Sequence, residues 1–215
     1  GDDFSFVSAR LGQAYPETLY QDMFPPSFAV GLEPLGVALG DMNGDGVVDV
    51  VAANSGFNNV SVLLGNGDGS FQAQQRFDTG NTPFSVALGD VNGDAVLDVV
   101  TANIGSDDIS VLLGNGDGSF QAQQRFAAGH SPTSVALGDV NGDTVLDVVT
   151  VNMYGGEVSV LLGNGDGSFQ AQQRFTVGDN PQSVAIGDVN GDAVLDVVTA
   201  SGISGAVSVL LSNRD

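Results

Sequence analysis

Residues 85–126 read SVALGDVNGDAVLDVVTANIGSDDISVLLGNGDGSFQAQQRF, and this stretch decides the fold. It holds four short segments of strand character. Ser85–Gly89 is small-residued, Leu97–Ala102 is apolar and β-branched, Ile109–Gly114 is apolar again, and Gln121–Ala127 carries glutamines suited to an exposed edge. Glycine, asparagine and aspartate separate the segments, as tight hairpins require. No helical period is sustained anywhere. The stretch therefore predicts a four-stranded antiparallel meander.

Working outward, the same text returns. Segments beginning at Asp41, Asp90, Asp139 and Asp188 lie 49 residues apart, and 90–138 matches 139–187 at 35 of 49 positions. Such periods mark repeat architectures in which each unit buries its apolar face against the next. Four-stranded units of this size are the blades of β-propellers, and the small residues Val86, Ala87 and Gly89 suit a crowded axis. A linear β-solenoid is the competing architecture, but its rungs are usually shorter. The expectation is an all-β, four-bladed propeller with repeat cores at about 34–77, 83–126, 132–175 and 181–211.

The ends of the chain predict how such a ring could close. The last copy stops after three strands, at Ser208–Leu211, whereas residues 26–34, PSFAVGLEP, match the fourth-strand text RFAAGHSP at 125–132. Residues 27–31 are thus expected to complete the last blade, either within one chain or in a neighbouring subunit. Ahead of them, residues 1–26 read as an N-terminal arm. Phe4, Phe6, Tyr15, Tyr20 and Phe24 make the arm rich in aromatics, which disordered tails are not. The arm and closing strand, 1–31, are expected to mediate association with other copies of the chain, head to tail and into filaments where the contact does not close.

Each copy carries D-x-N-x-D-x-x-x-D. The sets are Asp41, Asn43, Asp45, Asp49; Asp90, Asn92, Asp94, Asp98; Asp139, Asn141, Asp143, Asp147; and Asp188, Asn190, Asp192, Asp196. Side-chain oxygens at positions 1, 3, 5 and 9, with the carbonyls of Val47, Val96, Val145 and Val194 at position 7, can wrap one hard cation. Calcium takes six to eight oxygens at flexible angles, whereas magnesium wants a stricter octahedron. Zinc and copper lack nitrogen or sulfur ligands here. An EF-hand is excluded, because position 12 holds Ala52, Thr101, Thr150 or Thr199 and a strand follows. Metal-free Asx turns are the alternative for any one loop. Three carboxylates within nine residues, four times over, would repel one another without a cation, so about four Ca²⁺ are expected, in a structural role. Position 6 is Gly46, then Ala95, Thr144 and Ala193; a left-handed backbone there would strain the last three.

At this point the chain resembles the FG-GAP/VCBS repeat family, found in integrin α-subunit propellers, certain fungal lectins and many bacterial surface proteins. GDVNGDAVLDVVTAN followed by SVLLGNGDGSF carries the resemblance, which extends over residues 34–211. It implies a calcium-binding propeller that is secreted or surface-exposed. Integrin-like propellers have seven blades, against four copies here.

Composition narrows the function. Twenty-six acidic residues stand against five basic ones, all arginine, for a net charge of −21. Such a surface is repelled by phosphate backbones and anionic lipids, so no nucleic-acid partner is expected. No apolar run approaches the ~20 residues of a membrane helix, so no membrane insertion is expected, and no signal peptide is visible. There is no cysteine, which removes disulfides and thiolate chemistry. His130 is the lone histidine, and no nucleophile–base constellation or catalytic carboxylate pair breaks the repeat. No enzyme is expected. Asn59-Val60-Ser61 is a glycosylation sequon, a weak pattern.

In a meander the metal loops and the turns at 66–70, 115–119 and 164–168 share one rim. The copies differ on the opposite rim, in loops 55–59, 104–108, 153–157 and 202–205 and the connections 78–83, 127–132 and 176–181. Phe57, Phe84, His130 and Tyr154 are its rings. The reading is a structural or adhesive self-assembling protein. A calcium-dependent lectin using that rim, or clefts between blades, is the alternative, with glycans as partners.

Overall fold

A computed structural model describes residues 26–203 and 205–212. Of the aromatic arm, residues 1–25 lie outside them. The strands in chain order are β1 (Pro34–Gly40), β2 (Asp49–Asn54), β3 (Asn59–Leu63), β4 (Gln75–Asp78), β5 (Pro83–Gly89), β6 (Asp98–Asn103), β7 (Asp108–Leu112), β8 (Gln124–Ala127), β9 (Pro132–Gly138), β10 (Asp147–Asn152), β11 (Glu157–Leu161), β12 (Gln173–Thr176), β13 (Pro181–Gly187), β14 (Asp196–Ser201) and β15 (Ala206–Leu210). They form three four-stranded antiparallel sheets and one three-stranded sheet, each a simple meander. No helix occurs among the described residues, so none is long and apolar enough to cross a membrane.

Registers repeat from copy to copy. Val51 faces Val62 in sheet 1 as Val100 faces Val111 in sheet 2. Each first strand is irregular near its proline (34/36, 83/85, 132/134 and 181/183), where a ladder amide is missing. The fourth strands are shorter than the sequence suggests, starting at Gln75, Gln124 and Gln173. Phe71, Phe120 and Phe169 first bridge back to Gly65, Gly114 and Gly163, pinching off the turn. Between bridge and strand, Gln74, Gln123 and Gln172 turn inward and accept hydrogen bonds from the buried hydroxyls of Ser61, Ser110 and Ser159 at 2.7–2.8 Å. These glutamines are structural acceptors rather than edge decoration.

The core lies between sheets, not within them. Val51, Ala53, Val60, Val62 and Leu64 of sheet 1 pack with Val86, Leu88, Val99 and Leu112 of sheet 2. The same pairing joins sheets 2 and 3 through Val100, Ile109, Val111 and Leu137, and sheets 3 and 4 through Val149, Val158, Val184 and Ile186. Stripping apolar area from water at three such junctions is the main driving force. First strands contact one another in series, β1 on β5, β5 on β9 and β9 on β13, so small residues do line the inner side.

The expected four-copy, all-β architecture is present, but it is not closed within one chain. The four sheets form an open stack, with sheets 1 and 4 at opposite ends instead of meeting in a ring. Residues 26–31 do not pair with β15 in the same chain. They lie extended on sheet 1, where Phe28 meets Phe71 edge-on at 5.0 Å and the Gly31 amide donates to Asn54 Oδ1 at 3.0 Å.

Candidate metal loops and the variable rim

Each acidic loop spans the gap between first and second strands. In the first, Asp41 accepts the amides of Gly44, Asp45 and Gly46 at 2.8–3.1 Å, and Asn43 Nδ2 donates to Asp45 Oδ2 at 2.9 Å. Asp45 in turn accepts the Val47 amide at 2.8 Å. The other three loops repeat these bonds through Asp90, Asn92 and Asp94; Asp139, Asn141 and Asp143; and Asp188, Asn190 and Asp192. The bonds hold the Asp41 and Asp188 carboxyls below the ordinary carboxylate range, led by the amides of Gly46 and Ala193.

The ninth-position aspartates, Asp49, Asp98, Asp147 and Asp196, are fully buried. Asp49 accepts the amides of Met42 and Gly65 at 2.8 Å, tying the loop to the end of β3. Asp98 and Asp147 do the same with Val91 and Gly114, and with Val140 and Gly163; Asp196 binds the amides of Val189 and Ser212. Burial pushes the Asp98 and Asp147 carboxyls up, and the charges of their own loops (Asp94 and Asp90; Asp143 and Asp139) push the same way. Sequence reasoning cast these residues as ligands and missed their second task as amide acceptors. The identical spacing to Gly65, Gly114 and Gly163 was the available signal.

The donor set is all oxygen and fits a hard cation. Each aspartate keeps at least one lone pair beyond those its donors use, on Oδ2 in the first-position residues, whose Oδ1 already accepts two amides, and Val47, Val96, Val145 and Val194 sit at the carbonyl position. Among the described residues, however, no three acidic side chains converge into a ready-made ligand cluster. The loops stand as Asx-turn networks carrying an uncompensated charge. Their sixth position is left-handed throughout, with φ of +82° at Gly46, +65° at Ala95, +73° at Thr144 and +66° at Ala193. The strain anticipated for the last three loops is therefore present.

Loops and turns meet on one rim, as the meander required, and they meet across sheets. The Gly118 amide donates to the Met42 carbonyl at 3.2 Å, and Gly167 to Val91 likewise. In each turn Asp68, Asp117 or Asp166 accepts the hydroxyl of Ser70, Ser119 or Ser168, which holds the carboxyl below its ordinary value.

On the other rim Arg76 lies over the Phe57 ring at 5.5 Å, and His130 tilts against Tyr154 at 5.5 Å. Phe57 and Tyr154 are exposed and Phe84 partly so. Between sheets 1 and 2 a cleft of about 450 Å³ is lined by Arg76, Phe77, Asp78 and Phe120. The sequon asparagine, Asn59, is buried at the start of β3 and bonded to Asn54. Buried, it is closed to a glycosylating enzyme in the folded chain.

Stacked four-stranded antiparallel meanders with an acidic loop after each first strand define a β-propeller-like repeat protein. The chain belongs to the FG-GAP-like repeat family, whose model matches residues 41–101, 96–150 and 139–199. No curated protein matches the chain. Among solved structures it is similar to an Agrocybe aegerita lectin described as recognising non-reducing terminal N-acetylglucosamine, with 22% identity, TM-score 0.52, and 82% of this chain and 52% of the lectin covered. It is also similar to a Lactobacillus plantarum protein (13%, 0.52, 87% and 57%) and to the Photorhabdus luminescens Tc holotoxin pore (19%, 0.51, 82% and 9%). At these identities the likeness is one of fold, and the chain spans about half the length of the first two.

Proposed function

We propose that this chain is a non-enzymatic, extracellular calcium-binding repeat module with a structural or adhesive role, and that it associates with copies of itself head to tail. The observation that carries the reading is the fourfold acidic loop, built to the same hydrogen-bond pattern in every copy. Aspartates 41, 45 and 49, Asn43 and the Val47 carbonyl would hold the first ion, and the equivalent residues the other three. The ion supplies positive charge to loops that otherwise hold three carboxylates each, and so ties each loop to its sheet. Sites of this openness fit extracellular calcium, with dissociation constants of ~10⁻⁴–10⁻³ M. Native mass spectrometry across a calcium titration tests it: four ions per chain support the reading, and none bound at ~5 mM, well above that range, contradicts it. Light scattering of the full chain tests self-association, and deletion of residues 1–26 tests the arm; particles unchanged in size by the deletion remove the arm from that role.

A second reading has its own observation. The exposed Phe57 ring under Arg76 and the exposed Tyr154 ring beside His130 are each the kind of surface on which a sugar ring stacks. The fold is also similar to that of a lectin. A glycan array probed with and without chelator separates the two readings, since calcium-dependent micromolar binding belongs to the lectin.

A further inference from the structure

The two ends of the stack are halves of the junction that the chain builds three times within itself. At each internal junction, one sheet presents a face like that of Met42, Val60, Val62 and Leu64, and the next presents a face like that of Val86, Leu88 and Leu97. At the far end of the stack, the first of these faces recurs on sheet 4 as Val189, Val207, Val209 and Leu211, each 51–65% exposed. At the near end, the second recurs on sheet 1 as Val37, Leu39 and Val48, each 56–67% exposed. Among the described residues nothing covers either.

The backbone tells the same story. Residues 26–33 are seated on sheet 1 as 75–82 are seated on sheet 2. Phe28 meets Phe71 as Phe77 meets Phe120, Glu33 is left-handed like Thr82, and the Ser55 amide donates to the Glu33 carbonyl as Ile104 does to Thr82. Residues 75–78, however, belong to the sheet before the one they rest on, as its fourth strand on β3. Residues 26–31 thus hold, on sheet 1, the place that the fourth strand of the preceding sheet holds on sheet 2. Sheet 4 has three strands among the described residues, with β15 as its unpaired edge. It is also where buried hydroxyls, those of Thr199 and Ser201, lack partners.

Resting on the self-association reading above, we infer that the occupant of both ends is a second copy of this chain. Sheet 4 of one copy docks on sheet 1 of the next, and residues 26–29 of that next copy pair with β15. Internal registers set the pairing. Asn59 faces Asp78, Asp108 faces Ala127 and Glu157 faces Thr176, while Val60 faces Phe77. The same offset places Ala206 opposite Ala29 and Val207 opposite Phe28. The Val30 amide then meets the Gly205 carbonyl, as the Thr79 amide meets Asn58 at 2.9 Å. The contact is heterologous, so it runs on as a filament or closes as a ring of copies. Its energy comes from strand addition plus the same apolar burial that joins the sheets.

The chain has no cysteine, so thiol trapping reports only on introduced pairs. Full chains carrying Ala29→Cys and Ala206→Cys are purified separately, mixed in calcium and oxidised; opposite residues in an antiparallel pair lie within disulfide reach. The expected product is a mixed dimer of one variant with the other, and the double variant should yield a ladder or a covalently closed oligomer. Val37→Asp and Val207→Asp alter exposed side chains, so each should fold as the parent by circular dichroism while cutting the mixed-dimer yield at least tenfold. Cross-linking confined within one chain overturns the proposal. So does a parent that self-associates by light scattering yet gives no mixed dimer, which leaves the self-association reading standing. A parent that stays monomeric at high concentration sinks both.

Discussion

Val62 and Val209 occupy the same place in the repeat, one in sheet 1 and the other in sheet 4. Val62 is completely buried and Val209 is 51% exposed. Neither residue chooses its environment: sheet 2 covers the first, and no described residue covers the second. The contrast shows where stability resides in this molecule. A four-stranded unit satisfies its own backbone but cannot bury its own faces, so each sheet depends on a neighbour. The ends that no described residue covers are therefore positions of low local stability.

The largest effect expected from this comparison is on core truncation. Leu113→Ala removes a buried side chain from the junction of sheets 2 and 3 and should cost about 3 kcal/mol. The matching change Leu211→Ala, at 55% exposure, should cost less than about 0.5 kcal/mol in dilute protein. Urea denaturation at matched low concentration checks both, and equal costs would mean that sheet 4 is covered in solution.

A smaller effect tests the strained loops against the first one. Thr144 is β-branched at a φ of +73°, where Gly46 stands in the first copy. Thr144→Gly should stabilise by about 1 kcal/mol and Gly46→Thr should destabilise by about as much. The smallest effect concerns the turns. Ser119→Ala removes a hydroxyl that holds the Asp117 carboxyl down, so an NMR titration should show it moving up toward its ordinary value. The sign follows from linkage: a lowered carboxyl stabilises the fold above its unfolded value of 3.8, and the contribution is lost as pH falls through the folded value. The variant should therefore lose part of this pH dependence below about pH 4.

Much of this was legible in the sequence. The 49-residue period, the meander, the short last copy and the shared rim of loops and turns all follow from spacing and turn chemistry, which are local properties. Three features were not legible. The inward turn of Gln123 depends on the bridge between Gly114 and Phe120, which shifts the strand start by three residues. The double duty of Asp98 depends on an amide sixteen residues away. The open stack depends on the angle accumulated between successive sheets, a global quantity that no one repeat encodes. The match of residues 26–31 to a fourth strand was legible, but not the sheet against which that strand rests.

The central claim is that the acidic loops are calcium loops. Calorimetric melting of the full chain in ~2 mM calcium and in excess chelator tests it most directly, at a concentration set by the affinity expected of extracellular sites. At ten times its dissociation constant each ion adds roughly 1.4 kcal/mol, so four filled loops predict a melting temperature higher in calcium by more than about 10 °C. Superimposable curves in calcium and chelator would contradict it.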